Sequence, residues 1–422
     1  MSAFSTRNGI AYGLLGLPLA FVALPLYVVL PNYYAKEFGV PLAVLGAILL
    51  GARLFDAVID PLLGQLSDRL FARSARAVLV AGAAAAAVLA LGFALLFFPQ
   101  VSSASALVVW ASVTLVVTYA AYSFLSVSHQ SWGAMLGGTE AERSRIVAWR
   151  EALGLVGVVM ASVAPVALGM PSTTAIFMAM LVIGWLAWTR AVQPTAKTTN
   201  VAHANVWLPF KHGNFKRLLL VFMLNGTASA VPATLVLFFI QDKLQAPNSM
   251  EPVFLGAYFL TAAASIPVWL VVVKRMGLAR AWLCGMALSI AVFSWATQIG
   301  VGQTTAFLVI CALSGVALGT DLALPGALLA GVIQSNGNSG RAEGAYFGWW
   351  NFAIKLNLAL AAGLTLPALG MFGYAPGVRG PDALSALMIA YCVLPCLLKV
   401  LASAALYFLI IEPTLKTVKA ST

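Results

Sequence analysis

Residues 52–64 read Ala52-Arg53-Leu54-Phe55-Asp56-Ala57-Val58-Ile59-Asp60-Pro61-Leu62-Leu63-Gly64. They sit inside an apolar run over 40–64 that is long enough to cross a bilayer, since a spanning helix needs about 20 residues. Asp56 and Asp60 stand at i and i+4, and Arg53 is three residues before Asp56, so all three share one helix face. An ionised side chain at mid-bilayer costs about 2.5–3.5 kcal/mol on insertion scales. Two carboxylates this close in low dielectric cannot both ionise without a cation, and their titration is coupled. A bound Na+ or proton resolves the conflict, because carboxylate oxygens are the ligands a hard cation prefers. The competing reading is an internal salt bridge from Arg53 to one aspartate, which leaves the other unexplained. Pro61 removes a backbone donor and frees a carbonyl one turn earlier.

Working outward, the same apolar character recurs along all 422 residues: 61% are hydrophobic, 9% are charged, and the mean hydropathy is +0.95. Soluble chains carry about 25% charged residues, so a water-soluble enzyme is excluded. The runs are continuous rather than alternating, which excludes an outer-membrane barrel. They divide into twelve expected spans: 10–31, 40–64, 77–98, 105–131, 149–169, 172–190, 216–240, 252–273, 279–300, 304–333, 343–372 and 383–411. The apolar run after Met1–Asn8 is long enough to span and is not expected to be a cleaved signal. The polar interval 191–215 separates two six-helix halves, 1–190 and 216–422.

With both termini cytoplasmic, the cytoplasmic segments hold 18 of the 24 basic residues and the outer loops hold Lys36, Lys243 and Arg379. Arg53, Lys355 and Lys399 lie inside spans. This asymmetry fits the positive-inside rule. The net charge of +11 is therefore topological and does not indicate nucleic acid. Cys284, Cys311, Cys392 and Cys396 lie in apolar stretches and read as buried small hydrophobes.

Two six-helix halves joined by a cytoplasmic loop point to an all-α transporter whose halves rock about a midplane site. No nucleotide-binding loop is present, so the energy is expected from an ion gradient. Tyr119, Tyr122, Ser123, Ser126, Ser128, His129, Gln130 and Trp132 form a polar–aromatic run in the fourth span. With Tyr27, Trp349, Trp350, Asn351 and Asn357 they are candidates to line the solute site, although polar side chains also join membrane helices. Asp321 is expected to pair with Lys355 or Lys399 or to face the solute. Lys399 needs a partner unless it snorkels.

Gly64-x-x-x-Asp68-Arg69 resembles the loop signature of the major facilitator superfamily, which implies a conformational role in which Asp68 pairs with a basic residue in one state. Arg53-x-x-Asp56-x-x-x-Asp60-Pro61-x-x-Gly64 resembles the second helix of the glycoside–pentoside–hexuronide:cation symporters of the melibiose-permease type. Glu142-Arg143-x(6)-Arg150 and Ser339-Gly340-Arg341-Ala342-Glu343-Gly344-Ala345-Tyr346-Phe347-Gly348 resemble two of its loops. The resemblance implies that Asp56 and Asp60 are cation ligands, that Ser123 adds a hydroxyl, and that Lys355 and Arg53 balance charge. It also implies that Arg150 borders the solute and helps close the inner side, with Asp68, Arg69, Arg143, Arg341 and Glu343 in the gate.

The family's sugar-binding acids are missing. The first span, Gly9 to Pro31, has no charge, Ser126 replaces one acid, and Ala330-Gly331-Val332-Ile333-Gln334 replaces the motif that carries two more. The expected function is Na+- or H+-coupled movement of a small sugar or glycoside-like solute, with no cofactor. A lysolipid or amphiphile carrier and a proton-coupled exporter of drugs or metabolites are the alternatives. The expected setting is the lipid bilayer of a bacterial inner membrane, as a functional monomer.

Overall fold

The structure, a computed structural model, describes residues 4–194 and 205–421. Lys197, Thr198, Thr199, Asn200 and His203 of the expected linker lie outside the described residues. Among the described residues, eleven long helices run in chain order: α1 (Thr6–Ala35), α2 (Leu42–Arg73), α3 (Ala75–Phe97), α4 (Ala104–Met135), α5 (Glu140–Thr189), α6 (Gly213–Leu244), α7 (Glu251–Met276), α8 (Leu278–Ala296), α9 (Thr304–Ser335), α10 (Glu343–Met371) and α11 (Pro381–Lys416). All but α2 are both long and apolar enough to cross a membrane. α2 has the length, 32 residues, and carries Arg53, Asp56, Asp60, Asp68 and Arg69 along it.

The helix starts follow local chemistry. Ser74 Oγ accepts from Ala77 N at 3.0 Å to cap α3, and Ser103 Oγ accepts from Ala106 N at 3.3 Å to cap α4. Thr139 and Glu142 cap α5 reciprocally, each side chain accepting the other's backbone N–H, which satisfies two of the donors a helix start leaves open. α5 has 50 residues, about 75 Å at 1.5 Å per residue and more than twice the hydrocarbon thickness. It breaks at Gly169, whose φ of 74° and ψ of 168° are not helical. A residue with a Cβ strains at such a φ, whereas glycine does not. Pro171 follows, and Thr173 Oγ1 donates to Gly169 O at 2.8 Å. The break falls between the expected spans 149–169 and 172–190.

The chain divides into two compact units. One gathers Met1–Lys211 with Ile333–Phe352, and the other gathers His212–Val332 with Ala353–Thr422. The boundary at Lys211 lies inside the expected linker 191–215, and residues 333–352 join the first unit. In that unit Phe177 of α5 packs against Phe93 of α3 at 4.6 Å and Phe21 of α1 at 5.9 Å between ring centres. In the second, Phe239 of α6 stacks on Tyr391 of α11 at 4.2 Å and on Phe307 of α9 at 5.6 Å. Asp242 at the end of α6 accepts from Tyr374 Oη at 2.6 Å and Gly377 N at 3.1 Å. These bonds tie the α10–α11 loop to α6.

Candidate functional site

α2 has two opposite faces. Leu50, Leu54, Val58 and Leu62 recur every fourth residue and are 55–63% exposed, as a lipid-facing stripe requires. Asp56 and Asp60 lie on the other side and are 1% and 0% exposed. Both carboxylates therefore point into protein. Ser123 of α4 donates its hydroxyl to Asp56 Oδ1 at 2.6 Å. Arg53 stands three residues before Asp56 on the same helix. Its guanidinium lies over the Tyr27 ring, 3.9 Å from the centroid, a cation–π contact. Tyr119 packs beside Tyr27 at 5.7 Å. Asp56, Asp60 and Ser123 thus bring carboxylate and hydroxyl oxygens together in a buried place, the donor set of a hard monovalent cation or a proton.

Farther along α2 the backbones close up. A Cβ on Gly64 would meet Gly344 O at 2.0 Å, and one on Gly344 would meet Gly64 O at 2.1 Å. This approach puts Asp68 at the start of α10, where it accepts from Gly344 N at 2.6 Å and Ala345 N at 2.8 Å. Its partners here are two backbone donors at a helix N-terminus, where a negative charge is stabilised. The physical reason is the glycine pair, which lets the carboxylate reach the backbone directly. Asp68 lies past the expected end of the span. Burial raises its carboxyl well above the usual carboxylate range, the Glu343 charge adds to this, and the two backbone donors oppose it. Glu343 folds back on its own loop, accepting from Gly340 N at 2.6 Å and Arg341 N at 3.1 Å. Arg143 donates to Gln334 Oε1 at 2.6 Å. Arg69 and Arg341 are exposed.

Other expected lining residues are placed differently. His129 is 0% exposed. Its Nε2 lies 2.8 Å from Tyr12 O, and Tyr12 Oη donates to His129 O at 3.0 Å. It therefore clasps α4 to α1, because a buried ring nitrogen takes the nearest backbone oxygen. Gln130 donates to Ser126 Oγ at 2.9 Å within α4. Arg150 pairs with its neighbour Glu151. Trp349 donates to Val206 O at 2.8 Å and packs on Trp207 and Phe210, so it clasps the linker. Trp350 and Asn351 are buried. Lys355 falls in the second unit.

The second unit contains a polar network. Asp321 Oδ1 accepts from Asn225 Nδ2 at 2.9 Å and Trp282 Nε1 at 2.8 Å. Oδ2 accepts from Ser229 Oγ and Lys399 Nζ, each at 3.1 Å. Lys399 also donates to Asn225 Oδ1 at 2.8 Å. Of the alternatives for Asp321, pairing with Lys399 is the one found, and Lys399 does not snorkel. Asn225, Ser229 and Trp282 carried no sequence signal beyond being polar atoms in apolar runs.

A family model described as "MFS/sugar transport protein" matches residues 9–412. The "Uncharacterized symporter YjmB" of Bacillus subtilis (strain 168) is 23% identical over 409 residues, covering 90% of this chain and 86% of that protein. The "Putative glycoside/cation symporter YagG" of Escherichia coli (strain K12) is 28% identical over 159 residues, which span 37% of this chain and only 34% of YagG. A crystal structure of the MFS transporter FucP in the outward conformation superposes with a TM-score of 0.71 at 12% identity, covering 96% of this chain and 99% of that one. This last likeness concerns the fold.

Proposed function

The chain belongs to the MFS/sugar transport protein family, and from that membership we propose that it couples Na+ or H+ to the movement of a small sugar or glycoside-like solute by alternating access. Membership makes it an integral membrane transporter and not an enzyme. The observation that carries the coupling is the buried face of α2: Asp56 and Asp60 point away from lipid, and Ser123 donates to Asp56. Two acids so placed take up one small cation or proton far more readily than they stay doubly ionised. Binding there makes the energy of the protein's two access states depend on the ion, which is what symport requires.

The remaining assignments follow from this reading. The halves 1–190 and 216–422 form two six-helix bundles joined by 191–215, with twelve crossings and both termini cytoplasmic in a bacterial inner membrane. Lys355 is the proposed charge-balancing residue. Asp68, Arg69, Arg143, Arg341 and Glu343 form the inner gate, and the Asp68 bonds to the start of α10 support that role. Tyr27, Tyr119, Ser126, Arg150, Asn351 and Trp350 remain the solute-lining candidates, and the monomer is the working unit.

Uptake into proteoliposomes tests the proposal. A tenfold inward Na+ or proton gradient is worth about 1.4 kcal/mol, enough to concentrate solute about tenfold at one ion per solute. Asp60→Asn should abolish the stimulation while solute exchange persists. Undiminished stimulation in the Asp56→Asn, Asp60→Asn double variant would refute the coupling site. Competition by glycosides supports the sugar class, and competition by lysolipid alone assigns an amphiphile instead.

A further inference from the structure

A groove of about 530 Å³ lies between α10 and α11 in the second unit. Its walls are two helix faces. On α11 the lining positions are Asp382, Ser385, Ala386, Ile389, Ala390 and Leu394, and steps of three and four residues keep side chains on one face. On α10 they run from Leu364 to Leu369, with Phe372 just past the helix end. Ala368, Ala386 and Ala390 are too short to fill the space between the two backbones.

The groove opens outward. Leu364 is 65% exposed, Phe372 72% and Ile389 52%. On a membrane transporter, large apolar side chains exposed along a spanning helix meet lipid and not water, so the bilayer supplies the occupant. Depth says which part of a lipid fits. From Asp382 to Leu394 the helix rises about 18 Å, close to one leaflet, which is half of a hydrocarbon core about 30 Å thick. A single acyl chain matches that depth.

Polarity gives the headgroup. Asp382 and Ser385 stand in the first two turns of α11, and both are exposed. The other polar side chain of the wall, Thr365, is 5% exposed and stands on α10. Asp382 is the one charged group among the described lining residues. A carboxylate at the mouth repels an anionic headgroup and attracts a cationic one. A primary ammonium carries three N–H donors, which Asp382 and Ser385 can accept, whereas a quaternary ammonium has none to give. We infer that the groove between α10 and α11 is a binding site for an aminophospholipid of the phosphatidylethanolamine type. One acyl chain lies along Ala386 and Ala390, and the ammonium sits on Asp382 and Ser385.

The test uses the purified full-length protein in mixed micelles. Native mass spectrometry counts bound lipid, and thermal unfolding reads the stabilisation that binding to the native state brings. The probes are phosphatidylethanolamine, phosphatidylcholine and phosphatidylglycerol with identical acyl chains. The first should bind tightest and raise the unfolding midpoint most. Asp382→Asn should weaken its binding about 2- to 5-fold, the worth of one exposed ion pair, and bring it level with phosphatidylcholine. Ala390→Phe fills the groove from α11 and should abolish the preference. Ala368→Phe fills it from α10 and decides the matter if the first variant fails to fold. Equal binding of the three lipids to the wild type would mean an unselective lipid shell. A preference that survives Asp382→Asn would mean that Asp382 serves only the start of α11, and one that survives a folded Phe variant would place the lipid elsewhere. Each of these three outcomes overturns the inference.

Discussion

Replacing Lys399 with methionine keeps the length and most of the volume of the side chain and removes its charge. The lysine lies 3.1 Å from Asp321 Oδ2, with side-chain exposures of 6% and 14% for the pair. At an effective dielectric of about 20 the Coulomb attraction at that distance is about 5 kcal/mol. Desolvation of both groups offsets part of it, and removing one partner of a buried pair costs about 3–5 kcal/mol because the other charge is left exposed to hydrocarbon. Lys399→Met should therefore destabilise the folded protein by about that much. Asp321→Asn in the same chain removes the orphan charge and keeps a side chain that can bond to Asn225, Trp282 and Ser229. The double variant should recover at least half of the loss. Reversible unfolding in mixed micelles, run as a double-mutant cycle, measures this coupling. A loss below about 1 kcal/mol in Lys399→Met, or additive losses in the double variant, would refute the view that these residues act as one buried pair.

Gly64→Val should abolish both α2–α10 packing and transport, because its first carbon meets Gly344 O at 2.0 Å. Gly46→Ala, with nothing within 4 Å, should leave both unchanged, as thermal unfolding and uptake would show. Asp68→Ala removes two charge-assisted bonds to the start of α10, each worth about 1.5–3 kcal/mol. It should slow turnover while leaving solute affinity within about twofold, and an equal fall in affinity would place Asp68 outside the gate. Tyr374→Phe breaks the 2.6 Å bond to Asp242 and should cost about 0.5–1.5 kcal/mol, read as faster proteolysis of the loop at 372–380.

Membrane residence, the helical class and the buried face of α2 were legible from residue order alone. Hydrophobic length reports the bilayer, and a four-residue spacing reports a helix face, so Asp56 and Asp60 had to share one. The break in α5 was legible too, in Gly169-Met170-Pro171. Polar and aromatic residues inside spans were less readable. His129 and Trp349 carry the chemistry of a lining residue and became helix and linker clasps, because a buried N–H or ring nitrogen bonds to whichever backbone oxygen the packing brings near.

Local sequence thus determined what each segment is: which stretch spans, which face is apolar, where a helix starts or breaks, and which residues cannot be left alone in hydrocarbon. Tertiary packing decided whom those residues meet. Lys399 finds Asp321 across 78 positions, Ser123 finds Asp56 across 67, and Asp68 finds Gly344 across 276. Sequence states that a buried charge must have a partner. The choice among partners depends on distances of a few ångströms, which exist only once the helices have packed.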